Sequence, residues 1–216
     1  MFTSLGLLSA FMAMVSIDRE DWRACFLWLF LCFIIDAIDG TLARIFKVKE
    51  VLPHVDGKSI DYVIDFATYA IIPAFFFYKT EMVNTVLMPL AIIVILVSSA
   101  LYYGKTRMVE DDQYFIGFPV LWNFVIFYQF FVLQNNQLLN IISVLIFGIL
   151  HFVPLKFAYP SKAKRYFGMH LFFSITGLTS VLAILFIHPE SNFYFEIAAM
   201  SAIAYFGLFA VYDTLF

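Results

Sequence analysis

Apolar residues run through this chain in long blocks separated by short polar connections. The blocks are Phe2–Ile17, Trp22–Phe46, Ile60–Phe77, Val83–Tyr103, Tyr114–Leu133, Leu138–Leu155, Phe167–Ile187 and Phe193–Phe216. A helix needs about 20 residues to cross the hydrocarbon core of a bilayer, so each block reads as a candidate span, the first being short. In lipid every backbone N–H and C=O must be satisfied by other backbone, and these blocks are too long and too uniformly apolar for alternating barrel strands. The expected fold is therefore all-α, a polytopic transmembrane helical bundle of about eight spans. No connection is long enough for a soluble domain, and there is no internal repeat, linker or low-complexity segment, so residues 1–216 read as a single domain.

Composition sharpens this picture. Of 216 residues, 63% are hydrophobic and only 13% charged, and none of Gln113 to Leu155 is Asp, Glu, Lys or Arg. An aqueous domain could not cover such a core. The net charge of −3 and the absence of a dense basic run exclude nucleic acid as a partner. No basic segment precedes the first block, which argues against a cleavable leader. Cys25 and Cys32, seven residues apart in one block, share a helical face and cannot bridge each other, so they read as small buried hydrophobes.

Cytoplasmic connections collect Lys and Arg. One alternate set of connections holds Arg44, Lys47, Lys49, Lys58, Lys105, Arg107, Lys156, Lys162, Lys164 and Arg165, whereas the other holds Arg19, Arg23 and Lys79. This places both termini, and the connections after the second, fourth and sixth spans, on the cytoplasmic side.

The candidate chemistry lies at the end of the second block and the start of the third. Asp36 and Asp39 are three residues apart, Asp61 and Asp65 four apart, so on helices each pair shares a face one turn deep. Carboxylates inside spans are costly unless cations neutralise them. All-oxygen ligands suit Mg²⁺ or Mn²⁺, and two such ions about 4 Å apart serve displacement at phosphorus. Gly40, Ala43 and Gly57 are small enough for helices or a ligand's phosphates to approach closely, and Arg44 adds a cation suited to a diphosphate. Taken singly, Gly40 and Ala43 also read as helix-packing residues and Arg44 as an interfacial anchor.

The pattern Asp36-x-x-Asp39-Gly40-x-x-Ala43-Arg44 followed by Gly57-x-x-x-Asp61-x-x-x-Asp65 resembles the signature of the CDP-alcohol phosphotransferase family, with every position filled. Members condense a CDP-linked alcohol with a second alcohol and release CMP. The resemblance implies that Asp36, Asp39, Asp61 and Asp65 ligate two divalent ions and that Asp65 also acts as general base. It implies further that Asp39, Gly40, Ala43, Arg44, Gly57 and Asp61 hold the cytidine diphosphate.

The twelve residues from Ile45 to Asp56, longer than the spacer in most of the family, resemble the bacterial phosphatidylcholine synthase branch, which joins choline to CDP-diacylglycerol. So do the segments from Tyr114 to Asn123 and from Phe152 to Pro160. This branch implies a multi-pass enzyme of the bacterial inner membrane with its site facing the cytoplasm. Its partners would be CDP-diacylglycerol, choline and membrane lipids, with a homodimer as a candidate assembly. Choline's nitrogen has no hydrogen-bond donor, so recognition needs aromatic faces helped by an acid. The candidates are Tyr62, Tyr69, Tyr103, Tyr114 and Trp122, with Glu110, Asp111 and Asp112 as acids. Competing readings are another acceptor (serine, glycerol phosphate or inositol phosphate), CDP-choline with diacylglycerol, and, from a different class, a cation transporter or channel. The four histidines show no ligand spacing for zinc.

Overall fold

A computed structural model describes residues 2–47, 51, 54–106, 108–110, 113–134 and 136–216, leaving out the side chains of Phe2, Thr3, Ser4 and Arg44. Eight helices appear among the described residues. They are α1 (Phe2–Asp18), α2 (Trp22–Ile45), α3 (Gly57–Lys79), α4 (Met88–Tyr103), α5 (Trp122–Val132), α6 (Gln137–Leu150), α7 (Phe167–Ile187) and α8 (Phe193–Leu215). Each falls within one of the eight apolar blocks or extends it by a turn at most. Of these, α2 over Trp22–Ala43, α3, α7 and α8 are long and apolar enough to cross a membrane; the other four are shorter apolar helices. Large side chains such as Leu8, Phe172 and Leu208 face outward along them, which suits lipid rather than water.

The chain divides into two compact units, Met1–Glu81 with Leu121–Phe127, and Met82–Val120 with Tyr128–Phe216. In the first unit α1 and α2 form a hairpin. Its turn holds Glu20 at φ 56, and the Asp21 carboxylate caps α2 by accepting from Ala24 N–H at 2.9 Å. Small α1 residues, Ala10 and Ala13, line the buried side. Phe76 of α3 is seated edge-on against Trp22 and Phe26 of α2, at ring separations of 5.3 and 4.9 Å. Both cysteines are buried and free, as their spacing requires. α3 opens on Asp56, whose carboxylate accepts from the Ser59 hydroxyl and the Lys58 N–H. Those two bonds hold its carboxyl below the usual range.

In the second unit α4 pairs with α6 and α7 with α8. Gly148 is required by the first pairing, since a Cβ there would lie 2.5 Å from Val94.

Three short strands add to the expected all-helical bundle: β1 (Val109–Glu110), β2 (Tyr114–Ile116) and β3 (Lys156–Ala158) form an antiparallel sheet in that order. Phe115 opposes Val109 on one side and Phe157 on the other. Two expected boundaries are corrected here. The block Tyr114–Leu133 becomes helical only at Trp122, and Leu138–Leu155 leaves the helix after Leu150. Gly117 stands at φ +85 and Pro119 disfavours helix in the residue before it, so the chain cannot enter a helix at Tyr114. The backbone of Gly117 and Phe118 bonds instead to Leu155 and Leu150 carbonyls at 2.8 and 2.9 Å. The Lys105 ammonium completes this junction by donating to the Ile116 and His151 carbonyls beneath the Tyr102 and Phe152 rings.

Gly117→Ala should therefore be costly, because the new Cβ meets the His151 carbonyl and φ stays positive. A loss of about 2 kcal/mol or more is expected, or roughly 4–8 °C in Tm by scanning fluorimetry. Gly168→Ala, on a helical face with nothing within 4 Å, should be neutral; equal Tm for the two variants would refute the account.

Candidate active site

The signature aspartates converge within the first unit. Asp36 and Asp39 lie one turn apart on α2, Asp61 opens the second turn of α3, and one carboxylate oxygen of each lies within 4.8 Å of the others. Three oxygen donors that close, with no nitrogen or sulfur among them, fit a hard divalent cation. Without one, like charges at this distance repel strongly. Asp65, a further turn along α3, lines the same cleft together with Gly6, Cys32, Ile35, Ile64 and Thr68. The four carboxylates that sequence spacing pairs into two faces thus open on one cleft.

The cleft owes its shape to small residues and to an irregularity. Gly6 leaves α1 close to Ile64 of α3, and its carbonyl accepts from the Cys32 thiol at 3.5 Å. From Ala67 to Ile71, α3 winds as a π turn, a widening often found at functional sites. Thr68 and Tyr69 sit in that turn. Thr68 lines the cleft, and the buried Tyr69 donates its phenol proton to Asp36 Oδ2 at 2.8 Å. Tyr69, expected among the acceptor aromatics, thus has its hydroxyl on a carboxylate of the candidate metal site. Sequence reasoning missed this bond because no residue spacing connects positions 36 and 69.

Partners that orient a ligating carboxylate commonly matter 10- to 100-fold. Tyr69→Phe should accordingly lower turnover by about one order of magnitude and weaken Mn²⁺ affinity in parallel, measured by titration of the purified protein. Unchanged Mn²⁺ affinity would show the bond to be incidental.

Gly40, Ala43 and Gly57 are exposed, and nothing lies within 4 Å of a Cβ built on Gly57, so these backbones are open to a ligand. Arg44 ends the signature within α2, its side chain outside the described residues, as are Asp111 and Asp112. The remaining acceptor candidates fall in both units. In the first unit Tyr62 is half-buried with the Lys58 ammonium 5.3 Å from its ring, and Trp122 is fully buried. In the second, Tyr103 stands edge-on to Tyr102, while Glu110 pairs with Lys156 at 3.3 Å beside Tyr114.

Curated relatives share most of the chain. It is 41% identical over 165 residues to a phosphatidylcholine synthase of Mesorhizobium japonicum, covering 76% of this chain and 61% of that protein. It is 38% identical to the phosphatidylcholine synthase of Pseudomonas aeruginosa, covering 82% and 74%. That of Borreliella burgdorferi is 37% identical, with 76% and 70% covered. No family model matches the chain.

Proposed function

The chain belongs to the phosphatidylcholine synthase family, and from that premise we propose that it transfers the phosphatidyl group of CDP-diacylglycerol to choline, giving phosphatidylcholine and CMP. The observation that carries this reading is the convergence of Asp36, Asp39 and Asp61 within 4.8 Å, in a cleft shared with Asp65. We assign the four aspartates to two divalent ions, Mg²⁺ or Mn²⁺. When bound, such ions supply charge neutralisation and polarisation of the diphosphate oxygens.

The chain's own residues then have separate tasks. Asp39, Gly40, Ala43, Arg44, Gly57 and Asp61 hold the cytidine diphosphate against the open α2 and α3 backbones. Tyr69 fixes the Asp36 carboxylate by its hydrogen bond. Asp65 accepts the proton of choline's hydroxyl; the oxygen attacks the phosphorus that bears diacylglycerol, and the bond to the CMP oxygen breaks. Residues 1–216 act as one catalytic domain of the bacterial inner membrane, with both termini and the site cytoplasmic, a reading supported by the distribution of Lys and Arg. A channel reading is disfavoured because the acids cluster in one cleft rather than along a path.

Inverted membrane vesicles supplied with CDP-diacylglycerol and labelled choline should form labelled phosphatidylcholine and release CMP, whereas sealed right-side-out vesicles should not. Incorporation from CDP-choline and diacylglycerol instead would overturn the donor assignment, and equal activity in both vesicle types the orientation.

A further inference from the structure

Within the first unit, α3 serves two neighbours at once. Its first half presents Asp61 and Asp65 to the cleft, and its second half seats Phe76 on Trp22 and Phe26 of α2. The two halves meet at the π turn from Ala67 to Ile71, whose cause lies in the residues on either side. Pro73 follows the turn by two residues and is buried. Proline has no N–H to give the Tyr69 carbonyl, and in a regular α-helix its ring would strike that carbonyl. A widened turn relieves the clash, and here the Ile72 N–H reaches back five residues to the Ala67 carbonyl instead of four. At the other edge stands Thr68, only 2% exposed. Its hydroxyl donates toward the Ile64 carbonyl at 3.0 Å and the Asp65 carbonyl at 3.3 Å. In lipid, where water cannot serve freed backbone groups, a threonine hydroxyl and a π adjustment are what make a proline tolerable inside a span.

The widening sets which way the aspartates face. A π turn takes up one residue more than an α turn, and one residue is about 100° of helix rotation. The second half of α3 is held in place: Phe76 is wedged on α2, and Trp122–Phe127 of α5, in the same unit, packs against both the turn and the segment after it. Closing the turn to α would therefore rotate the first half, carrying Asp61 and Asp65 away from Asp36 and Asp39. Tyr69, inside the turn, would leave Asp36 Oδ2 as well.

We propose that Thr68 and Pro73 are positioning residues for the candidate metal site: together they hold α3 in the π register that brings Asp61, Asp65 and Tyr69 to the carboxylates of α2. This rests on the metal reading above and not on the choice of acceptor. Neither residue belongs to the signature, and neither has to touch an ion. Sequence reasoning passed over both, since an isolated Thr and an isolated Pro in an apolar block carry no motif.

The test is a Mn²⁺ titration of the purified full chain in micelles, read beside turnover and Tm. Thr68→Val nearly keeps the side chain's shape and removes its hydroxyl. It should weaken Mn²⁺ binding and lower kcat by about tenfold each, with the choline KM within about twofold of wild type. Thr68→Ser keeps the hydroxyl and should retain most of both. Pro73→Ala returns an N–H that lets α geometry compete, so it should copy the loss of Mn²⁺ affinity without lowering Tm, a combination that mere loosening of the helix does not give. Since Thr68 acts in part through Tyr69, Thr68→Val combined with Tyr69→Phe should cost less than the product of the two single losses. A folded Thr68→Val protein with wild-type Mn²⁺ affinity overturns the proposal, as does a double variant showing the full product. Should Thr68→Val not fold, wild-type affinity in Pro73→Ala overturns it. A wild-type chain that binds no Mn²⁺ removes the metal reading and this proposal with it, whereas one that binds Mn²⁺ but ignores choline removes the acceptor alone, and the titrations decide as before.

Discussion

Mg²⁺ or Mn²⁺ is expected to raise the Tm of the purified protein, and replacing Asp36, Asp39 or Asp61 by Asn is expected to abolish that rise and to lower turnover by about three orders of magnitude or more. Asn keeps the shape of Asp but removes the charge, and it is through that charge that three oxygens within 4.8 Å can hold a cation. Chelation of wild type should reproduce the loss, and added Mn²⁺ or Mg²⁺ should reverse it. Asp65→Asn should behave differently. It removes the proposed base, worth about 10²- to 10⁴-fold, yet leaves the other three carboxylates in place, so CDP-diacylglycerol should still bind. Asp18, at the far end of α1, serves as the control. Near-normal turnover in any one of the four Asn variants would remove that residue from the site.

The acceptor prediction has the next largest effect. If a cation–π site selects the second alcohol, each methyl added from ethanolamine to choline should improve kcat/KM, because methyls spread the charge and lower the cost of dehydration. Serine, which carries a carboxylate and a well-hydrated ammonium, should be a poor substrate. Tyr114→Leu should raise the choline KM several-fold, a loss of about 0.5–2 kcal/mol, with the CDP-diacylglycerol KM nearly unchanged. Tyr69→Phe should show the opposite split, lowering kcat and metal affinity with little change in the choline KM, since its hydroxyl serves Asp36. Efficient use of serine or glycerol phosphate, with indifference to choline, would refute the acceptor while leaving the metal site intact.

What the sequence by itself determined is what repeats along a helix or follows from solvation. Apolar blocks had to carry helices, because backbone in lipid has no other partner, and among the described residues each of the eight holds one, although Tyr114–Leu133 and Leu138–Leu155 are helical over only part of their length. Intervals of three and four residues likewise had to place Asp36 with Asp39 and Asp61 with Asp65 on shared faces, and the two faces open on one cleft. Tertiary structure decided whatever depends on contacts without a period. Uniform hydrophobicity cannot separate a strand from a helix, so Tyr114–Ile116 and Lys156–Ala158 became a sheet only through partners some forty residues apart. The π turn that delivers Tyr69 to Asp36, 33 positions away in the chain, leaves no trace in residue spacing. Nor does the bringing together of Arg165 with Asp213 over Tyr166 and Tyr212, because a buried charge is explained by its neighbours in space, and these come from different elements.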